Sequence, residues 1–141
     1  KKSDQDPSLL VGIFTCKNKT REKYLDALND CNIKLDNNKP SISTYYSNGN
    51  SAVNIDFHRG GIVVLNDRSV KGLEFDIVFI ADIDDFNVIR NKDEMKKRFY
   101  VMTSRAIKQI VLLRNSEDKK EYRVDDILPK DESILNRISI S

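Results

Sequence analysis

The chain has no tryptophan, one histidine (His58) and two cysteines (Cys16 and Cys31) among 141 residues. Cysteines without CxxC spacing and a lone histidine cannot furnish four ligands for a zinc ion, and they outline no disulfide framework. They read as ordinary thiols of a reducing cytoplasm. No run approaches the roughly 18 consecutive apolar residues of a membrane span. The polar stretch Lys1 to Ser8 offers no apolar core for a secretory signal. Charge of one sign is lacking too: 24 Lys and Arg stand against 22 Asp and Glu, for a net +2. Bulk charge therefore does not point to nucleic acid, and any such site must come from local clustering. There is no internal repeat, no low-complexity segment, and no GxxxxGK[ST] loop to cradle nucleotide phosphates. The absence of an initiator Met and the polar end suggest a piece of a longer protein.

What is present suits one globular domain with a single core. Leu9 to Phe14 is a short, continuously apolar run, as expected of a strand buried on both faces. A polar turn follows, and Thr20 could cap a helix carrying Tyr24, Leu25, Ala27, Leu28 and Cys31 on one stripe. The Asn- and Asp-rich stretch 29–38 should end that helix. Ser41 to Tyr46 reads as a second strand, and Ala52 to Phe57 alternates like an exposed strand or hairpin arm. Ile62 to Leu65, Ile77 to Ala81 and Ile110 to Leu113 are further buried strands. A helix is expected from Asp93 to Ala106, with Met95, Phe99, Met102 and Ala106 inward. On this helix Lys97 and Arg98 read as an exposed basic face, and Tyr100 as a core residue. Apolar strands alternating with helices predict an α/β fold with a mainly parallel sheet.

Two segments carry chemistry. The first runs Ser69-Val70-Lys71-Gly72-Leu73-Glu74-Phe75 into the strand at 77–80. The second runs Lys97-Arg98-Phe99-Tyr100-Val101-Met102-Thr103-Ser104-Arg105-Ala106. In this order and spacing they resemble motifs V and VI of the UvrD/PcrA-like superfamily 1 DNA helicases. Residues 11–29 weakly resemble motif IV. The resemblance implies a RecA-like three-layer sandwich over residues 8–114, lacking its own phosphate loop. A linker at 1–7 would precede it, and a charged tail at 115–141 would follow. Within it, motif V would span 66–80, motif VI 97–106, and a small hairpin region 41–61.

The same resemblance implies roles. Glu74 would accept a hydrogen bond from the ATP ribose, with Gly72 allowing close backbone approach. Arg105 would act as an arginine finger on the γ-phosphate, a task suited to a planar, permanently charged guanidinium. Asn66, Arg68, Ser69 and Lys71 would contact the single-stranded DNA backbone. Asn66 and Arg68 depart from the Thr and His often found there. The implied partners are an N-terminal RecA-like domain, which would bind most of the ATP and Mg²⁺, and single-stranded DNA. Open α/β sheets place ligands at the carboxyl ends of their strands, so both motifs are expected there. The chain alone should not hydrolyse ATP.

Two other readings stand beside this one. One is a non-catalytic nucleic-acid-binding or adaptor module of the same fold. The other starts from Asp82-Ile83-Asp84-Asp85 after a buried strand, the DxD pattern of Toprim-like Mg²⁺-dependent nucleases. Against it, no catalytic Glu follows the first strand.

Overall fold

In the computed structural model the described residues are 9–30, 42–45, 61–114 and 120–138. The five strands are β1 (Leu10–Thr15), β2 (Ile42–Tyr45), β3 (Gly61–Asn66), β4 (Phe75–Ile80) and β5 (Ala106–Leu112). They form one sheet in the order β2-β3-β1-β4-β5, and every neighbouring pair is parallel. The expected α/β class with a parallel sheet is thus what the chain forms. β2 pairs parallel with β3, so it is a strand of the main sheet. The alternating stretch 52–57 and His58 lie outside the described residues.

Sequence explains why the strands sit where they do. All six residues of β1 are buried, because this strand lies at the centre of the sheet with a layer on each face. Gly12 is needed there: a Cβ would meet the Phe14 ring at 2.8 Å and the Phe75 ring at 3.0 Å. The space it leaves admits an edge-to-face contact between those rings, with centroids 5.4 Å apart.

Helix α1 (Asn18–Asn29) covers one face, contacting β1, β2 and β3. Its half-buried Tyr24, Leu25 and Leu28 pack towards Ile13, Val64 and Ala81. The cap is Lys17, with no side-chain hydrogen bond; Thr20, the expected cap, is buried and donates its hydroxyl to Asp85 at 3.1 Å. Arg21 is buried as well, with Glu22 at 3.7 Å, so it does not extend the basic surface of the turn.

Helix α2 (Lys92–Thr103) covers the opposite face. Asn91 accepts from the Glu94 backbone N–H at 3.0 Å, and Asp93 and Glu94 place negative charge on the helix's positive end. Met95, Phe99 and Met102 enter a core with Phe14, Leu65, Val70, Phe75, Val78, Ile80 and Phe86. The helix stops at Thr103, not at Ala106, which opens β5. Tyr100 is 73% exposed and lies outside the core. The tail is more than charged surface: Val124 is buried in the same core, and Ile127 and Leu128 pack against it.

Between β3 and β4 the chain makes a short crossover without an α-helix. Parallel strands usually need a dozen or more residues and a helix for this. Here a single 3-10 turn (Asp67–Ser69), the buried plug Val70 and a tight turn at Lys71–Gly72 suffice. Gly72 has φ +83°, and the Leu73 N–H closes the turn on the Val70 carbonyl at 3.0 Å. That conformation strains any residue with a Cβ.

Candidate functional site

The sheet separates the residues singled out above onto two edges. Asn66, Arg68 and Ser69 follow β3, so they lie at the carboxyl edge beside Thr15 and the end of β4. Gly72 and Glu74 lead into β4, and Arg105 leads into β5, so these three lie at the opposite, amino edge. The expectation that both motifs share the carboxyl edge is therefore corrected. The reason is the short crossover, which carries the chain from one edge to the other between Ser69 and Phe75. A six-residue strand sets the edges roughly 17–20 Å apart.

At the amino edge, the Phe75 N–H donates to the Arg105 carbonyl at 2.8 Å, which ties the two motif-bearing segments together. Glu74 is exposed, with no partner among the described residues. Arg105 is half-buried and lies just past α2, in a turn where its own N–H donates to Met102. Its Nε donates to the Val101 carbonyl at 3.2 Å and its Nη2 to the Ser104 hydroxyl at 3.1 Å. No carboxylate neutralises it among the described residues. Neither Asp82 nor Glu74 is its ion-pair partner. This edge thus presents an exposed carboxylate and a guanidinium with no carboxylate partner among the described residues.

The carboxyl edge is more knitted than expected. Asn66 accepts from the Arg68 N–H at 2.9 Å, and its Nδ2 donates to the Cys16 carbonyl and the Asn18 side chain. Its amide therefore shapes the edge and does not reach outward. Ser69 is buried, 8% exposed, which withdraws it from direct contact with a strand. Arg68 is exposed and makes no ion pair among the described residues, and Lys17 and Lys19 are also exposed at the start of α1; Lys71, likewise exposed and without an ion pair among the described residues, stands in the turn with Gly72.

Sequence reasoning missed the strongest polar contact of this face. Arg98 is not part of an exposed basic stripe. Its guanidinium clasps Asp67 through two hydrogen bonds of 2.6 and 2.7 Å, with side-chain exposures of 15% and 1%. It also lies against the Phe86 ring, and Nη2 approaches the Cys16 sulfur at 3.9 Å. The Asp67 hydrogen bonds hold Arg98 more firmly charged than a free arginine, against the opposing effect of burial. Burial first, and then the Asp67 charge, push the Cys16 thiol up; Arg98 offsets part of this.

The acid cluster after β4 is not a metal cradle. Asp82, with φ 49°, accepts from Tyr24 Oη at 2.7 Å and Lys23 Nζ at 3.2 Å. Asp84 is buried and takes two hydrogen bonds from Arg114, at 2.8 and 2.9 Å. Asp85 takes the Thr20 hydroxyl and lies 3.8 Å from Lys17. Each of the three carboxylates is engaged by its own set of partners, whereas Mg²⁺ needs them convergent. This removes the Toprim-like reading.

A solved domain has a similar fold. It is described as the C-terminal domain of a possible DNA helicase from Lactobacillus plantarum WCFS1. The two share 19% identity and superpose with a TM-score of 0.51, over 80% of this chain and 60% of that one. At such identity the likeness is one of fold, and this chain spans only 60% of its neighbour's length. With the all-parallel sheet between two covering layers, it bears out the RecA-like class. No protein-family model matches the chain, and no curated protein matches it. No helix among the described residues is long and apolar enough to cross a membrane.

Proposed function

We propose that the chain is the C-terminal motor domain of an ATP-dependent superfamily 1 DNA helicase of the UvrD-like kind. It would face an N-terminal RecA-like domain across a nucleotide cleft. The observation that carries this reading is the amino edge, where Glu74 and Arg105 come together on segments joined by the Phe75–Arg105 backbone bond. A half-buried arginine without a carboxylate is costly in a purely structural setting, but it is useful where phosphate charge arrives from outside. A fold shared with a possible helicase domain adds support.

When bound, ATP with Mg²⁺ supplies the phosphoanhydride and the neutralising cation, held by the partner domain. In this reading Arg105 donates to the γ-phosphate oxygens as charge redistributes, and Glu74 accepts from the ribose. The turn at Gly72 keeps the intervening backbone clear of the nucleotide. Arg68, with Lys17 and Lys19 at the same edge, and Lys71 in the turn beside Gly72 supply cations to the DNA backbone, a sequence-independent contact.

The test is single-strand-stimulated ATP hydrolysis by the intact protein, wild type against Arg105→Ala. Turnover should fall by roughly 10³–10⁵, as for other arginine fingers, while single-strand binding persists. Unchanged turnover would remove Arg105 from the chemistry and leave a nucleic-acid-binding module of the same fold.

A further inference from the structure

We infer that the Asp67–Arg98 pair is a positioning link through which strand contact at the carboxyl edge controls Arg105 at the amino edge. The inference rests on the helicase reading above and adds a route between its two halves. Asp67 opens the 3-10 turn, immediately beside the exposed Arg68. Its carboxylate is 1% exposed and held by both Nε and Nη2 of Arg98, a two-point contact that fixes orientation as well as distance. Arg98 lies on α2 five residues before its last, Thr103, or roughly 7.5 Å along the axis, and Arg105 follows just past the helix.

The crossover and α2 lie on the same face of the sheet and both run from the carboxyl edge to the amino edge. They are tied twice, by Asp67–Arg98 near one end and by the Phe75 N–H on the Arg105 carbonyl at the other. Val70 of the crossover and Phe99 and Met102 of α2 fill the core between the ties. A displacement of the turn by a bound phosphate backbone thus cannot leave α2 behind, and the end of α2 sets where Arg105 points. The packed chain of contacts that coupling requires is present from Arg68 to Arg105. Neither Asp67 nor Arg98 touches nucleotide or strand in this scheme, so each acts by positioning.

The experiment measures ATP hydrolysis by the intact protein with and without single-stranded DNA, together with strand affinity and thermal melting. The variants are Arg98→Lys, Asp67→Asn and the exchanged pair Asp67→Arg/Arg98→Asp. Lysine keeps the charge facing Asp67 but loses the two-point fork. In Arg98→Lys and Asp67→Asn, stimulation by DNA should fall roughly 5- to 150-fold, with the DNA-independent rate, the KM for ATP and strand affinity within about twofold of wild type. The exchanged pair should regain part of the stimulation. Full stimulation in Arg98→Lys overturns the link. So does an equal fall of both rates in step with lowered melting, which marks the pair as merely structural. A wild type that DNA does not stimulate at all overturns the helicase reading itself, and the link with it.

Discussion

Replacing Arg114 by methionine isolates what the acid cluster costs when its partner is removed. Arg114 follows β5 and reaches Asp84 through Nε and Nη2 at 2.8 and 2.9 Å, and Asp125 through Nη1 at 3.0 Å. The two acceptors are not equivalent: the Asp84 side chain is 2% exposed and that of Asp125 is 50% exposed. Burial alone would favour the neutral form of Arg114, yet the hydrogen bonds it donates to both carboxylates outweigh it and keep the guanidinium charged. Methionine fills a similar volume but strands the Asp84 charge, which should cost about 3–5 kcal/mol. Loss of the exposed Asp125 contact adds only about 0.2–1 kcal/mol. Against a typical domain stability of about 5–15 kcal/mol, that is a large fraction. Urea unfolding followed by circular dichroism should show the midpoint falling by about 2 M, for a loss of about 4 kcal/mol and an m-value of about 2 kcal/mol/M. Arg123→Met, which breaks an exposed pair with Asp126, is the control and should cost less than about 1 kcal/mol. Adding Asp84→Asn to Arg114→Met should recover part of the loss, since it removes the stranded charge. If Arg114→Met costs no more than the control, Asp84 does not depend on Arg114 and the reasoning fails.

Three further outcomes are expected. Gly72→Ala should lose about 1–2 kcal/mol of stability from left-handed backbone strain alone, because a Cβ there meets nothing within 4 Å; a larger loss in unfolding experiments would contradict this. Val124→Ala should lose roughly 2 kcal/mol, at about 0.8 kcal/mol per buried carbon. A loss near zero would mean the tail is not part of the core. In a Cys31→Ser background, alkylation of Cys16 by iodoacetamide should be slower at pH 8 than that of a free thiol and accelerate as pH rises. Its pKa is raised, so the reactive thiolate forms only above the usual thiol range. A rate that is flat with pH would refute that environment.

The strands were legible because burial on both faces demands unbroken apolar runs, and β1, β3 and β4 supply them. The end of α2 was not. Ala106 continues the helical spacing of Met95, Phe99 and Met102 and packs on the same core, but it does so as the first residue of β5. Periodicity cannot tell a helix's last turn from a strand entering the same layer. Tyr100 and Arg98 exchanged their expected places for a related reason: hydrophobicity put the ring inside, and only the distant Asp67 draws the guanidinium in. No local pattern announces a partner 31 residues away. The site residues were named through family resemblance, but their separation onto two edges came from the crossover, whose brevity no motif encodes.

That brevity has a consequence for how the gene can vary. Residues 67–74 cover the distance between the edges with a turn, a buried valine and little slack. Exposed side chains here can change without disturbing the fold, but the count of residues cannot. One inserted residue would shift Val70 out of the core or pull Asp67 off Arg98, and one deletion would leave the chain short of β4. Among descendants of this sequence, insertions and deletions should be purged here, and length will be a trait under selection in its own right.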